Sequence, residues 1–184
     1  MPLLTIRHVT TYRYRQPVAL GEYRMMLRPR DSQDQRVVEA RLDIRPEPIT
    51  LRFVEDAFGN HLAIAQFFGR AQELCFDSIV SLEHRPQDLT DYDLDDTCMC
   101  PATYSSSEYL SDIGAPPPYG PMDFAGWFEA YLGGRWYTFD PRNNTPRIGR
   151  VLIAQGRDAV DVPITLTFGP STLVSFKVWT DEIN

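Results

Sequence analysis

Lysine is almost missing from this chain. Of 184 residues only Lys177 is one, and arginine carries nearly all the positive charge. Asp and Glu number 25 against 18 Lys and Arg, for a formal charge of −7 and a pI near 4.9. A nucleic-acid partner calls for a basic face, so none is expected. The arginines gathered between Arg7 and Arg45 alternate with Asp and Glu and read as a solvated, mixed-charge sheet face. Cysteine is scarce as well, with only Cys75, Cys98 and Cys100. An odd, small number does not make a disulfide framework. No apolar run approaches the roughly 18 residues of a membrane-spanning helix. The opening MPLLTIRHVTTYRY has no leader-like apolar core. The expectation is a soluble cytoplasmic protein without a membrane partner. Long helical periodicity is missing too, and that absence bears on function below.

What is present is strand pattern. LLTIRHVTTYRY is rich in β-branched and aromatic residues, and GEYRMMLRPR follows a polar break. In VVEARLDIRP, Val38, Ala40, Leu42 and Ile44 alternate with Glu39, Arg41 and Asp43, the period of a half-buried strand. ITLRFVED leads through a turn at Ala57-Phe58-Gly59-Asn60 into HLAIAQFFG. Gly59 and Asn60 tolerate the positive φ of a tight turn. QELCFDSIVSLE places Leu74, Phe76, Val80 and Leu82 on one face, and Cys75 reads as a small strand hydrophobe. Short strands at this spacing predict an antiparallel β-sandwich over residues 1–83.

Residues 84–100 change character. Asp88, Asp91, Asp93, Asp95 and Asp96 crowd together without apolar periodicity, and the stretch reads as an acidic linker. It lacks the mid-loop Gly and terminal Glu of a calcium-binding EF-hand. Residues 101–184 resume strand pattern after the stiff Pro116-Pro117-Pro118 run. AGWFEAYL and GRWYTFD, joined by Gly133-Gly134, predict a hairpin. RVLIAQGRDAVDVP reads as a short strand or helical turn and then a loop. TLVSFKVWTDE reads as a closing strand with Val174, Phe176 and Val178 on one face.

TYRY (Thr11 to Tyr14), EYRMMLRPR (Glu22 to Arg30) and DAFGN (Asp56 to Asn60) stand in the first part of the chain. YLSDIG (Tyr109 to Gly114), WFEAYLGGRWYTFDPR (Trp127 to Arg142) and RIGRVLIAQGRDAVDV (Arg147 to Val162) stand in the last. On these blocks, in this order, the chain resembles the bacterial transglutaminase-like family with an N-terminal β-sandwich. The resemblance implies a papain-like α+β core with a Cys at a helix N-terminus, a His on a strand two residues before a Trp, and an Asp ending the next strand. Such a triad attacks an amide carbonyl to form an acyl-enzyme.

Carried over residue by residue, the triad is incomplete. Asp140 in YTFDPR matches the acid. Ala125 in DFAGW stands where the His belongs, and the loop after Asp140, Pro141-Arg142-Asn143-Asn144, holds no His. The family's helical block has too little room between SLEHRP and PATYSSSEYL. Fold class is therefore expected to be mainly β: an N-terminal sandwich followed by a truncated core reduced to its strands. Losing the helix should uncover a sheet face, which would pack on the sandwich or on another copy of the chain.

Cys100 and Cys98 are the alternative nucleophiles, with His84 as a conceivable base. Their acidic neighbours Asp95 and Asp96 would raise a thiol pKa. Cys-x-Cys also falls short of a zinc pattern, so neither metal nor cofactor is expected. Trp127, Trp136, Tyr131 and Tyr137 read as core and cross-strand aromatics. Arg147, Arg150 and Arg157 with Asp158 and Asp161 read as surface pairs. The sequence thus favours a non-catalytic binding or scaffold module, with a protein or peptide partner or self-association into a homo-oligomer. Its alternative is a cysteine-dependent amidase or acyl transferase.

Overall fold

The structure, a computed structural model, describes residues 2–32, 35–85, 103–109, 124–132, 134–139, 150–166 and 170–183, with backbone alone for 103–109 and for several positions of 124–150. Every regular element among them is a strand. The strands are β1 (Leu3–Ala19), β2 (Glu22–Arg28), β3 (Gln35–Arg45), β4 (Thr50–Glu55), β5 (His61–Gln66), β6 (Arg70–His84), β7 (Thr103–Tyr109), β8 (Phe124–Leu132), β9 (Arg135–Phe139), β10 (Arg150–Gly156), β11 (Thr165–Leu166) and β12 (Thr172–Ile183). With no helix among the described residues, none is long and apolar enough to cross a membrane.

Three four-stranded antiparallel sheets result. The first runs β12-β1-β6-β3, the second β11-β2-β5-β4, and the third β10-β7-β8-β9. The first two face each other as a sandwich, as the patterning of the opening strands predicts. Leu74, Phe76, Val80 and Leu82 all point inward from β6 and are buried. Across from Leu74 and Phe76 lie Tyr23, Met25, Leu27, Ala63 and Ala65 of the second sheet. The hydroxyls of Tyr14 and Tyr23 meet at 2.7 Å inside this core, so two polar tips satisfy each other where neither reaches water. Burial is the main reason the Tyr23 phenol is raised well above its ordinary pKa.

Two predicted faces break at bulges. β3 shifts register against β6 between Val37 and Glu39. Val37 therefore turns toward the core, while Val38, expected inside, is 59% exposed. A bulge adds one residue and reverses the sense of alternation beyond it. β12 keeps Val178 buried and Phe176 half-buried, but Val174 is exposed where β1 shifts register between Thr11 and Tyr12. The segment read as strand or helical turn is strand β10.

β1 is held on both sides, by β6 and by β12. Its inward residues include His8 beside Ser78 and Val178 in register. His8 is 2% exposed, touches Thr10 Oγ1 through Nε2, and packs against the Phe176 ring at 5.0 Å. Burial pulls its pKa down from 6.5 to about 4, against a smaller opposing pull from Asp77. The folded state thus holds fewer protons than the unfolded state in this window. Stability from His8 is complete above pH 6.5 and falls as pH drops toward 4. Denaturant titrations across that range should show a slope approaching 1.4 kcal/mol per pH unit. His8→Gln should flatten it.

Candidate functional site

The third sheet is where the sequence places a catalytic frame. β8 and β9 form the predicted hairpin, with Phe128 opposite Phe139 and Leu132 opposite Arg135. Gly134 takes φ +91° in its turn, a conformation that glycine adopts without a Cβ penalty. Phe128 and Phe139 stack at 5.1 Å, and Trp127 and Tyr137 are buried. These aromatics are packing residues, as their alternation suggests. The Ala125 backbone lies on β8 opposite Ser107 of β7.

This sheet is fastened to the sandwich by two side-chain amides. Gln35, at the start of β3, donates from Nε2 to the Leu152 carbonyl at 2.7 Å and accepts the Leu152 N–H on Oε1 at 2.8 Å. Asn60, just before β5, does the same to Gln155: Nδ2 to its carbonyl at 2.8 Å and Oδ1 from its N–H at 2.8 Å. Each amide imitates the backbone of a neighbouring strand. Each also has a third bond. Gln35 Nε2 reaches the Arg30 carbonyl at 2.6 Å, and Asn60 Nδ2 reaches Asp56 Oδ2 at 2.8 Å. Gln35 is 2% exposed and Asn60 is fully buried.

Local chemistry prepares both brackets. Asp56 Oδ1 accepts the N–H groups of Phe58 and Asn60 and so builds the turn that aims Asn60. Gly59 has φ +78°, and a Cβ there would sit 3.2 Å from Arg30 Nη2. Arg30 joins the brackets, donating to the Phe58 carbonyl at 2.7 Å and reaching Gln155 Oε1 at 3.4 Å. Gln155 Nε2 in turn donates to Glu129 Oε2 of β8 at 3.1 Å. β10 has a bulge between Leu152 and Ala154. In a regular strand, backbone groups on one edge recur at even spacing. The extra residue lets positions three apart, 152 and 155, face the sandwich together.

Apolar packing completes the joint. Val151, Ile153 and Ala154 of β10, with Val162, share a core with Leu4, Ile6, Met26, Val80, Leu82 and Val178. The chain turns sharply after β10. A Cβ on Gly156 would come within 2.5 Å of Asp161 Cβ. Arg157 forks onto Asp161 at 2.9 and 3.2 Å, and its hydrogen bond holds that carboxyl below the usual range. This is the surface pair that the sequence suggests.

Of the sequence-derived site residues, Asp140, Cys98 and Cys100 lie outside the described residues, as does Arg147. His84 ends β6, is 2% exposed, and stands in register with Gln35. Cys75 is half-buried and accepts a 3.6 Å contact from Thr11 Oγ1. All three histidines lie on sandwich strands: His8 on β1, His61 on β5, His84 on β6. No group of three His, Cys, Asp or Glu suited to a metal occurs among the described residues. Sequence reasoning missed Gln35, which stands in a polar run with no distinguishing pattern. It noted Asn60 only as a turn former, although DAFGN carries the signal.

Residues 4–83 match the bacterial transglutaminase-like N-terminal region. A solved structure from Cytophaga hutchinsonii, described as a candidate cysteine protease, superposes with a TM-score of 0.73 at 15% identity. The match covers 100% of this chain and 91% of that one. At that identity the likeness concerns the fold. No curated protein matches the chain.

Removing either bracket should loosen the third sheet. Asn60→Ala strips partners from the N–H and C=O of Gln155, two partly buried groups, where full burial would cost about 1–3 kcal/mol each. Denaturant unfolding should register a loss of that order. Hydrogen exchange should show faster exchange at Gln155 with Asn60→Ala and at Leu152 with Gln35→Ala.

Proposed function

We propose, from a chain whose residues 4–83 form a bacterial transglutaminase-like N-terminal region, that this protein lacks a complete Cys-His-Asp triad and serves as a non-catalytic binding or scaffold module for a protein or peptide. One observation carries the reading. Every histidine of the chain belongs to the sandwich, two of them 2% exposed, and none stands on the sheet that would house the reaction. A triad requires an imidazole that meets both the thiol and an orienting carboxylate. The methyl group of Ala125 cannot take a proton.

The two amide brackets support the same reading from another side. They fasten a sheet with packed aromatics to the sandwich at a defined place. Such a frame can present a surface without needing a nucleophile. The competing reading is a cysteine-dependent amidase or acyl transferase that uses Cys98 or Cys100 with Asp140. It is favoured by the fold shared with the Cytophaga hutchinsonii structure.

Thiol chemistry separates the two. Iodoacetamide titration across pH should find Cys98 and Cys100 reacting as ordinary or less acidic thiols, with no thiolate at neutral pH beyond that of a free cysteine. A panel of activated amides and esters should show no turnover. A cysteine that reacts as thiolate well below pH 8, with turnover lost in its Cys→Ala variant, would overturn the proposal.

A further inference from the structure

The sandwich is open along one side. β3 ends the first sheet and β4 ends the second, and each has a hydrogen-bonded neighbour on one edge only among the described residues. Between them lies a cavity of about 110 Å³. Leu42 and Ala40 of β3 form one wall. Leu27, Ala63 and Phe53 of the second sheet form the other. Deep in the cavity, Ser78 Oγ donates to the Leu27 carbonyl at 3.0 Å and ties the sheets together. Toward the β3–β4 side the small Ala40 and Ala63 leave space, and Phe53 is 59% exposed.

The charged and titratable groups in the lining are Arg28, Arg41 and His61, with no carboxylate among them. Arg28 makes no ion pair among the described residues, and Arg41 pairs with the half-buried Asp43 at 2.9 Å. In a chain of net charge −7, an apolar slot lined by two arginines and no carboxylate is an exception. Beside it, Ile49 just before β4 and Leu51, Phe53 and Val54 on β4 are exposed. Edge strands are commonly protected by charged side chains, Pro or short length. β4 has six residues, with no Pro and with Arg52 and Glu55 as its only charges.

From this combination we infer that the β3–β4 side is a docking site for an extended peptide. The peptide adds to the β4 edge, inserts one apolar side chain between the sheets, and places an acidic residue two positions away against Arg28 and Arg41. Backbone pairing supplies affinity in this mode, and pockets for alternate side chains supply selectivity. An apolar cavity of about 150 Å³ admits a benzene ring, so the smaller slot here suits a branched aliphatic side chain. Residues two apart on a strand share a face, which sets the spacing of the acid. Charge decides against a second copy as occupant. A two-fold contact through this side would bring Arg28 and Arg41 toward their own counterparts. The site lies on the sandwich and is independent of any thiol chemistry elsewhere in the chain.

The test uses the full chain and an array of acetylated, amidated decapeptides of alternating Thr and Val with a central Leu. Glu, Gln or Lys occupies the two positions flanking that Leu on its own face. Fluorescence polarisation at low salt should rank Glu above Gln above Lys, with at least tenfold between the extremes. Arg28→Glu with Arg41→Glu should reverse the order. Ala40→Phe, at an exposed position, should fill the slot and abolish binding without lowering the thermal midpoint. Proline beside the Leu should abolish it as well. Equal binding of the Glu and Lys peptides, or an order unmoved by the double charge reversal, would overturn the assignment. So would light scattering that finds a concentration-dependent dimer which the Glu peptide fails to dissociate.

Discussion

Two carboxamides hold this architecture together. Gln35 and Asn60 each offer one donor and one acceptor to a single residue of β10, and each uses its remaining N–H elsewhere. A buried amide left unpaired is costly, whereas a fully satisfied one fixes a geometry. The third sheet must meet the sandwich where both brackets close at once, three residues apart on a bulged strand. The apolar joint around Val151, Ile153 and Ala154 supplies most of the attraction by area. Area is indifferent to register, and the brackets are not.

The sandwich beneath obeys the same division. Its two halves attract through side chains such as Phe76 and Met25, both fully buried. Pairings such as Tyr14 with Tyr23, and Ser78 with the Leu27 carbonyl, locate one half against the other. On the outer face, Arg7 grips Asp77 through two bonds at 3.0 and 2.7 Å. The Arg7 hydrogen bond is the main reason that carboxyl is held below its ordinary range. Exposed as Arg7 is, this pair counts for little in stability.

Much of the fold was legible because alternation survives in β6 and because glycine marks the turn of the β8–β9 hairpin. It was misread where a bulge inserts a residue, as at Val38, since period-two logic carries no signal for the insertion. The site was less legible. Ala125 could be recognised as a gap in a triad from its spacing to Trp127. Gln35 could not be recognised as a bracket, because its partner is backbone 117 residues away. Backbone partners leave no mark in side-chain pattern. Asn60 carried a signal in DAFGN, but turn chemistry explained it too cheaply. The open β3–β4 side was invisible for a related reason. Ala40 and Ala63 look like ordinary strand residues until two sheets are seen to diverge around them.

The register of β1 has a further consequence. Leu3 lies opposite Ile183, and Arg13 opposite Thr172. During synthesis the ribosome delivers β6 to one flank of β1 about a hundred residues before β12 can reach the other. Throughout that interval the nascent first sheet exposes an unfinished flank. Contacts of such long sequence separation slow closure, so a chaperone that shields this flank would have more to do here than in a protein whose neighbouring strands are consecutive.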